Sequence, residues 1–105
     1  MPNITKDFDK YILAVNSGTT TKASITCYRG NTQVGMLAFC EKSNIQKPRY
    51  QSSMDRIFLY FHIDQLEAVL KILQNEKPLQ LYISTAAGWG RLKTGLEPVG
   101  EEESP

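Results

Sequence analysis

The sequence predicts an α+β domain: one antiparallel sheet of five to six strands with a single amphipathic helix, at about residues 65–75, on one face. Three features predict it. Short β-branched and apolar runs alternate with polar positions over most of the chain, Gly30-Asn31 sits between two such runs as a hairpin turn, and only one segment has a helical period. With 105 residues, 41% apolar and 22% charged, the chain is sized for one core. We therefore expect one domain over residues 1–96 and an acidic, flexible tail over 97–105.

The elements follow in order. Residues 11–16 (YILAVN) form the first expected strand, ended by the turn-forming Ser17-Gly18-Thr19. Residues 23–28 (ASITCY) alternate, Gly30-Asn31 reverses the chain where positive φ is cheap, and residues 33–39 return. Centring that hairpin on Gly30-Asn31 puts Ile25 opposite Met36 and Cys27 opposite Val34, all on one face. Residues 41–53 are polar and without period, as expected of a long loop or ragged edge. Residues 54–63 read as a strand with Ile57, Leu59, Phe61 and Ile63 on one face and Phe58, Tyr60 and His62 on the other.

Asp64 then stands where a helix N-cap belongs, with Glu67 three residues on as in a capping box. Leu66, Val69, Leu70 and Leu73 recur at i, i+3, i+4 and i+7 as a stripe that packs on a sheet, and Pro78 closes the segment. Residues 79–84 alternate as a core strand. Beyond Gly88-Trp89-Gly90, residues 91–94 form a short edge strand.

One helix cannot cover both faces of such a sheet. The alternation gathers Tyr28, Phe39, Phe58, Tyr60, His62 and Tyr82 on the uncovered face, with Thr26 and Gln33 between them. Aromatics on an open sheet stack on bases, and flanking cations hold phosphates, so this face suits a single-stranded nucleic acid. Tyr28, Phe58, Tyr60 and Tyr82 are the candidate stacking residues, with Lys22, Arg29, Arg49 and Arg56 as phosphate contacts. The competing expectation is that the same rings pack against a second subunit or under the 41–53 loop. Trp89 is a candidate partner anchor, although a small domain more often folds its single Trp back over the core.

Charge agrees in direction. The net +1 conceals four acids in EPVGEEESP, which leaves twelve bases against seven acids in residues 1–96, a formal +5. Such a tail would compete with nucleic acid for the basic surface at low salt. Cys27 and Cys40 lie in apolar runs and read as reduced core thiols, and His62 alone completes no metal site. No metal, no cofactor and no catalytic residue is expected, nor paired carboxylates for acid and base work, so the chain reads as non-enzymatic. It has no apolar run that could span a membrane and no signal-peptide pattern at its start, so no membrane partner and a cytoplasmic location are expected.

Strands followed by one capped amphipathic helix, with basic and aromatic residues on the far face, resemble the single-stranded-DNA-binding folds of the Whirly and transcriptional positive-cofactor type. The likeness is one of element order over residues 11–75, and it implies homodimerisation. Residues 11–28 (YILAVNSGTTTKASITCY) also look like the first phosphate-binding hairpin of acetate and butyrate kinases, with Asn16, Gly18, Thr19, Thr20 and Lys22 in the matching places. Single-stranded nucleic-acid binding is thus the leading expectation, a homodimeric protein-interaction module the second, and a phosphate-binding hairpin a remote third.

Overall fold

A computed structural model describes residues 3–95, which contain eight strands and one α-helix. The strands are β1 (Asn3–Phe8), β2 (Lys10–Val15), β3 (Thr21–Arg29), β4 (Thr32–Cys40), β5 (Arg49–Gln51), β6 (Arg56–His62), β7 (Leu79–Ser84) and β8 (Trp89–Thr94). The helix α1 (Leu66–Asn75) lies between β6 and β7. The acidic tail expected over 97–105 lies outside the described residues.

The class is α+β as expected, but the single antiparallel sheet is replaced by two. One has five strands in the order β2-β3-β4-β6-β5, and the other has three in the order β1-β7-β8. The larger is mixed, because β4 and β6 run parallel; the segment between them crosses beyond β6 and returns as β5, antiparallel to it. Part of the stretch without period is therefore an edge strand three residues long. β1 was unexpected because its inward positions are Ile4, Lys6 and Phe8, and the central Lys6 breaks the apolar alternation. Lys6 bonds to Asp55 in the turn before β6, an ion pair that ties the small sheet to the large one.

The chain passes from one sheet to the other at Asp9. Its N–H donates to Tyr28 O at 2.9 Å, and its Oδ1 accepts from Gly30 N at 3.1 Å. The corner thus satisfies its own polar groups and anchors the β3–β4 turn, as strands that switch sheets require.

That turn forms as expected, with Arg29 opposite Thr32 and Gly30 at φ +62. The register beyond it differs. A bulge in β4 sets Cys27 opposite Gly35 and Ile25 opposite Leu37, not opposite Val34 and Met36. One extra residue inverts every later side chain, so Leu37 and Phe39 turn inward while Met36 and Ala38 turn outward. Val34 stays buried beside Gly35. The inward face of β6 is the expected one, since Ile57, Leu59 and Phe61 pair with Gly35, Leu37 and Phe39.

The core lies between the sheets. Ala23, Ile25, Cys27, Leu37, Phe39, Ile57 and Leu59 come from the large sheet, and Phe8, Leu79, Leu81 and Ile83 from the small one. Val69 and Leu73 of α1 join them, with Leu66 and Leu70 partly buried at the margin, so the predicted stripe is the packed one. Two glycines set the closest approach. A Cβ on Gly35 would lie 2.3 Å from Ile57 O and 2.5 Å from Leu81 Cδ1; one on Gly90 would lie 2.6 Å from Leu59 Cδ2 and 2.7 Å from Tyr82 O.

The helix start also differs from expectation. The capping residue is His62, whose Nδ1 accepts from Asp64 N at 3.0 Å while Gln65 Oε1 accepts from His62 N at 3.1 Å. This reciprocal box closes a 3-10 turn, Ile63–Gln65, that leads into α1. Asp64 is a first-turn residue with an exposed side chain, and Glu67 takes no part in the cap.

Gly35→Ala should destabilise the domain by about 3 kcal/mol, because the obstructing atom is a ladder carbonyl that cannot move aside. Equilibrium urea unfolding measures this, and an unchanged midpoint would mean β4 can shift away from the β6 carbonyl at no cost. His62→Ala should cost about 1 kcal/mol through loss of the cap, and Asp64→Ala less than about 0.5 kcal/mol. The reverse order in the same assay would return the cap to Asp64.

Candidate functional site

Alternation and register determine which expected site residues meet. The outward face of the large sheet carries Tyr28 on β3 and Phe58 and Tyr60 on β6. Phe58 lies in a cross-strand row with Met36, Thr26 and Ile12, and Tyr60 in the next row with Ala38, Ser24 and Ala14. Tyr28 is separate from both, between Lys10 on β2 and Gln33 on β4. Arg49 on β5 pairs with Phe58 and places its guanidinium 4.3 Å from the ring centroid. The cation already occupies a face of that ring, which is buried.

The other two expected members of this aromatic face are elsewhere. Phe39 is fully buried in the core and stacks on Phe61 at 5.5 Å, because the bulge in β4 turns it inward. Tyr82 belongs to β7 and therefore to the small sheet. The six rings do not form one surface, since they are shared among two sheets and the core.

Tyr82 instead joins a cluster on the outward face of the small sheet. The turn between β7 and β8 sets Ser84 opposite Trp89 and Tyr82 opposite Arg91. Gly90 and Leu92 pair with the inward-facing Ile83 and Leu81, so Trp89, Arg91 and Lys93 point out. The Trp89 and Tyr82 rings are 5.3 Å apart at 51°, and the Arg91 guanidinium is 5.3 Å from each ring. Trp89 is 43% exposed, which corrects the expectation that it folds over the core. The inward position at that level belongs to Gly90, where Leu59 leaves no room for a side chain. Neither Arg91 nor Lys93 has an acidic partner among the described residues. Both were missing from the expected site, although their positions two and four residues after Trp89 put them on its face of a strand that begins after Gly88.

The remaining expected cations are scattered. Lys22 lies at an irregularity near the start of β3, where its carbonyl accepts from Asn16 N at 2.8 Å. Arg29 is exposed at the end of β3 and lines a cleft of about 470 Å³ with Lys6, Asp7, Thr32 and Asp55. Arg56 is half-buried at the start of β6, and its Nε is enclosed without a hydrogen-bond partner. In the phosphate-like hairpin Asn16 serves the turn itself, its Nδ2 donating to Thr21 O at 3.0 Å.

Both cysteines are free and buried, and burial pushes the Cys27 thiol up to about 12. No group of three or more His, Cys, Asp or Glu able to hold a metal occurs among the described residues, and no helix there is long and apolar enough to cross a membrane. Beside the cleft, the Lys6 ammonium and then the Tyr50 hydroxyl donate to Asp55, and both hold its carboxyl below the ordinary aspartate value. The same bond raises the Tyr50 hydroxyl.

Because the folded pKa of Asp55 is depressed, its contribution to stability is present above the unfolded value of 3.8 and is lost as pH falls through the folded one. Asp55→Asn should therefore be less stable than the parent at neutral pH and converge on it in acid. Urea midpoints measured from about pH 7 to pH 2 test this, and a constant difference would dissociate Asp55 from acid unfolding. Compared with known proteins, the chain matches no protein-family model, no curated protein and no solved structure, so its function has to be argued from the chemistry of these surfaces.

Proposed function

We propose that the domain is a non-enzymatic binding module for single-stranded nucleic acid, with Trp89, Tyr82 and Arg91 as its stacking platform and Arg91 and Lys93 as phosphate contacts. The observation that carries this reading is an exposed Trp beside a second ring and a shared guanidinium, on an outward sheet face with two cations and, among the described residues, no acidic partner for either. Base stacking tolerates any sequence because every base has a π-face, and each stacked base contributes about 1–3 kcal/mol. Exposure favours this surface over the expected one on the large sheet, where Arg49 already covers Phe58. Tyr28 and Tyr60 remain available to a strand that crosses the large sheet, but they lie in different rows and without an exposed neighbouring ring. The ligand class is the one implied by the likeness in element order to Whirly-type folds.

Trp89 is the only Trp in the chain, so its emission reports directly on the platform. Titration with oligo-dT should quench it saturably, and Trp89→Ala should weaken binding of a labelled oligonucleotide about tenfold in anisotropy. With two phosphate contacts, affinity should fall about sevenfold between 50 and 200 mM salt. Tyr28→Ala should change little. An unquenched Trp89 with no anisotropy change would overturn the nucleic-acid reading, and loss of binding through Tyr28 instead of Trp89 would move the site to the large sheet.

A further inference from the structure

We infer that a second copy of this chain pairs antiparallel along β2, joining the two five-stranded sheets across a twofold axis with Leu13 opposite its own counterpart. The two sheets have four outer strands: β2 and β5 in the large one, β1 and β8 in the small one. Three are protected in the ways edge strands usually are. β5 has only three residues and carries Arg49, β1 carries Lys6 and Asp7, and β8 carries Arg91 and Lys93. β2 has six residues, with no charge and no proline from Tyr11 to Val15. Its outer edge has no strand partner among the described residues.

The side chains of β2 are also unusually bare. Ile12, Leu13 and Val15 are 57%, 41% and 75% exposed, half of the large exposed hydrophobics among the described residues. They occur on both faces of one strand, so an added strand would shelter apolar surface above and below the sheet while capping the open backbone.

Backbone polarity fixes the register. Asn16 N donates to Lys22 O, so the even positions of β2 face β3, and by alternation residues 11, 13 and 15 present N–H and C=O to the open edge. A twofold axis through Leu13 pairs 13 with 13 and 11 with 15, and each of these pairs exchanges two bonds. The same register sets Ile12 beside Ala14 and Lys10 beside Asn16, which keeps the two Lys10 ammoniums at opposite ends. A strand with charged side chains would find no counter-charge along residues 11–15. The stretch without charge that fits is residues 11–15 of β2 itself, with Ile12, Leu13 and Val15 exposed.

Sedimentation of the full chain across concentration, with amide hydrogen exchange, tests the pairing independently of any nucleic-acid binding. The 11.9 kDa chain should double in mass, and the amides of Tyr11, Leu13 and Val15 should gain protection with concentration while those of Ile12 and Ala14 do not. Leu13→Lys brings two ammoniums face to face and should weaken the dimer at least about 100-fold, whereas Val15→Lys, facing Tyr11, should weaken it about tenfold. An equimolar mixture of Leu13→Lys with Leu13→Glu should restore the doubled mass, which also shows that both variants fold. A chain that stays monomeric to about 200 μM, or a dimer that survives Leu13→Lys, overturns the proposal.

Discussion

The two sheets interlock through a reciprocal exchange of leucines and glycines, and the remaining structure depends on it. Leu81 of the small sheet sits over Gly35 of the large one, and Leu59 of the large sheet sits over Gly90 of the small one. At both places a Cβ would collide with a backbone carbonyl as well as with the leucine, so neither glycine can be exchanged for a larger residue by a rotamer change. Leu59 and Leu81 are consequently almost entirely enclosed, as are Ile57 and Ile83 next to them. For a chain of this length, such close contact offsets the small core volume.

The bulge in β4 follows from the same constraint. An unbroken ladder from the Gly30-Asn31 turn would present Val34 and Met36 to Cys27 and Ile25, and would leave Gly35 facing solvent. The inserted residue turns Gly35 toward Leu81 and carries Leu37 and Phe39 into the core with it. On the outward side it leaves Met36 and Ala38, so the large sheet loses the ring that Phe39 would have supplied. A packing requirement at one residue thereby sets the chemistry of the opposite surface. On the small sheet the parallel event is at Gly90, whose inward position compels Trp89 and Arg91 to point out.

Polar groups do the joining where apolar packing stops. Lys6 reaches from the small sheet to Asp55, which Tyr50 also bonds, and Asp9 holds both the corner and the β3–β4 turn. Exposed links of this kind add modestly to stability. Their value is geometric, because they fix how β1 leaves one sheet and β2 enters the other. That path leaves β2 at an outer edge with Ile12, Leu13 and Val15 uncovered. The absence of charge there contrasts with every other edge of the domain and gives the two outward faces and the open edge separate chemical characters.

Local patterns alone determined the α+β class, the β3–β4 turn, the helix stripe and the two faces of β6, because each depends on residues within one or two turns of each other. The sequence also marked Tyr82 and Trp89 as candidates, although not as neighbours. Tertiary structure alone decided the division into two sheets, the parallel pairing of β4 with β6, and the strand character of β1, whose inward Lys6 makes sense only beside Asp55. It likewise decided that His62 caps the 3-10 turn leading into α1, since an imidazole acts as a cap only when the chain turns to meet its Nδ1. The expected aromatic surface is divided for two such reasons: Tyr82 belongs to the other sheet, and Phe39 turns inward because the period of a strand tells which residues share a face only until a bulge intervenes. Whether a bulge forms depends on what the opposite sheet must fit against the glycine.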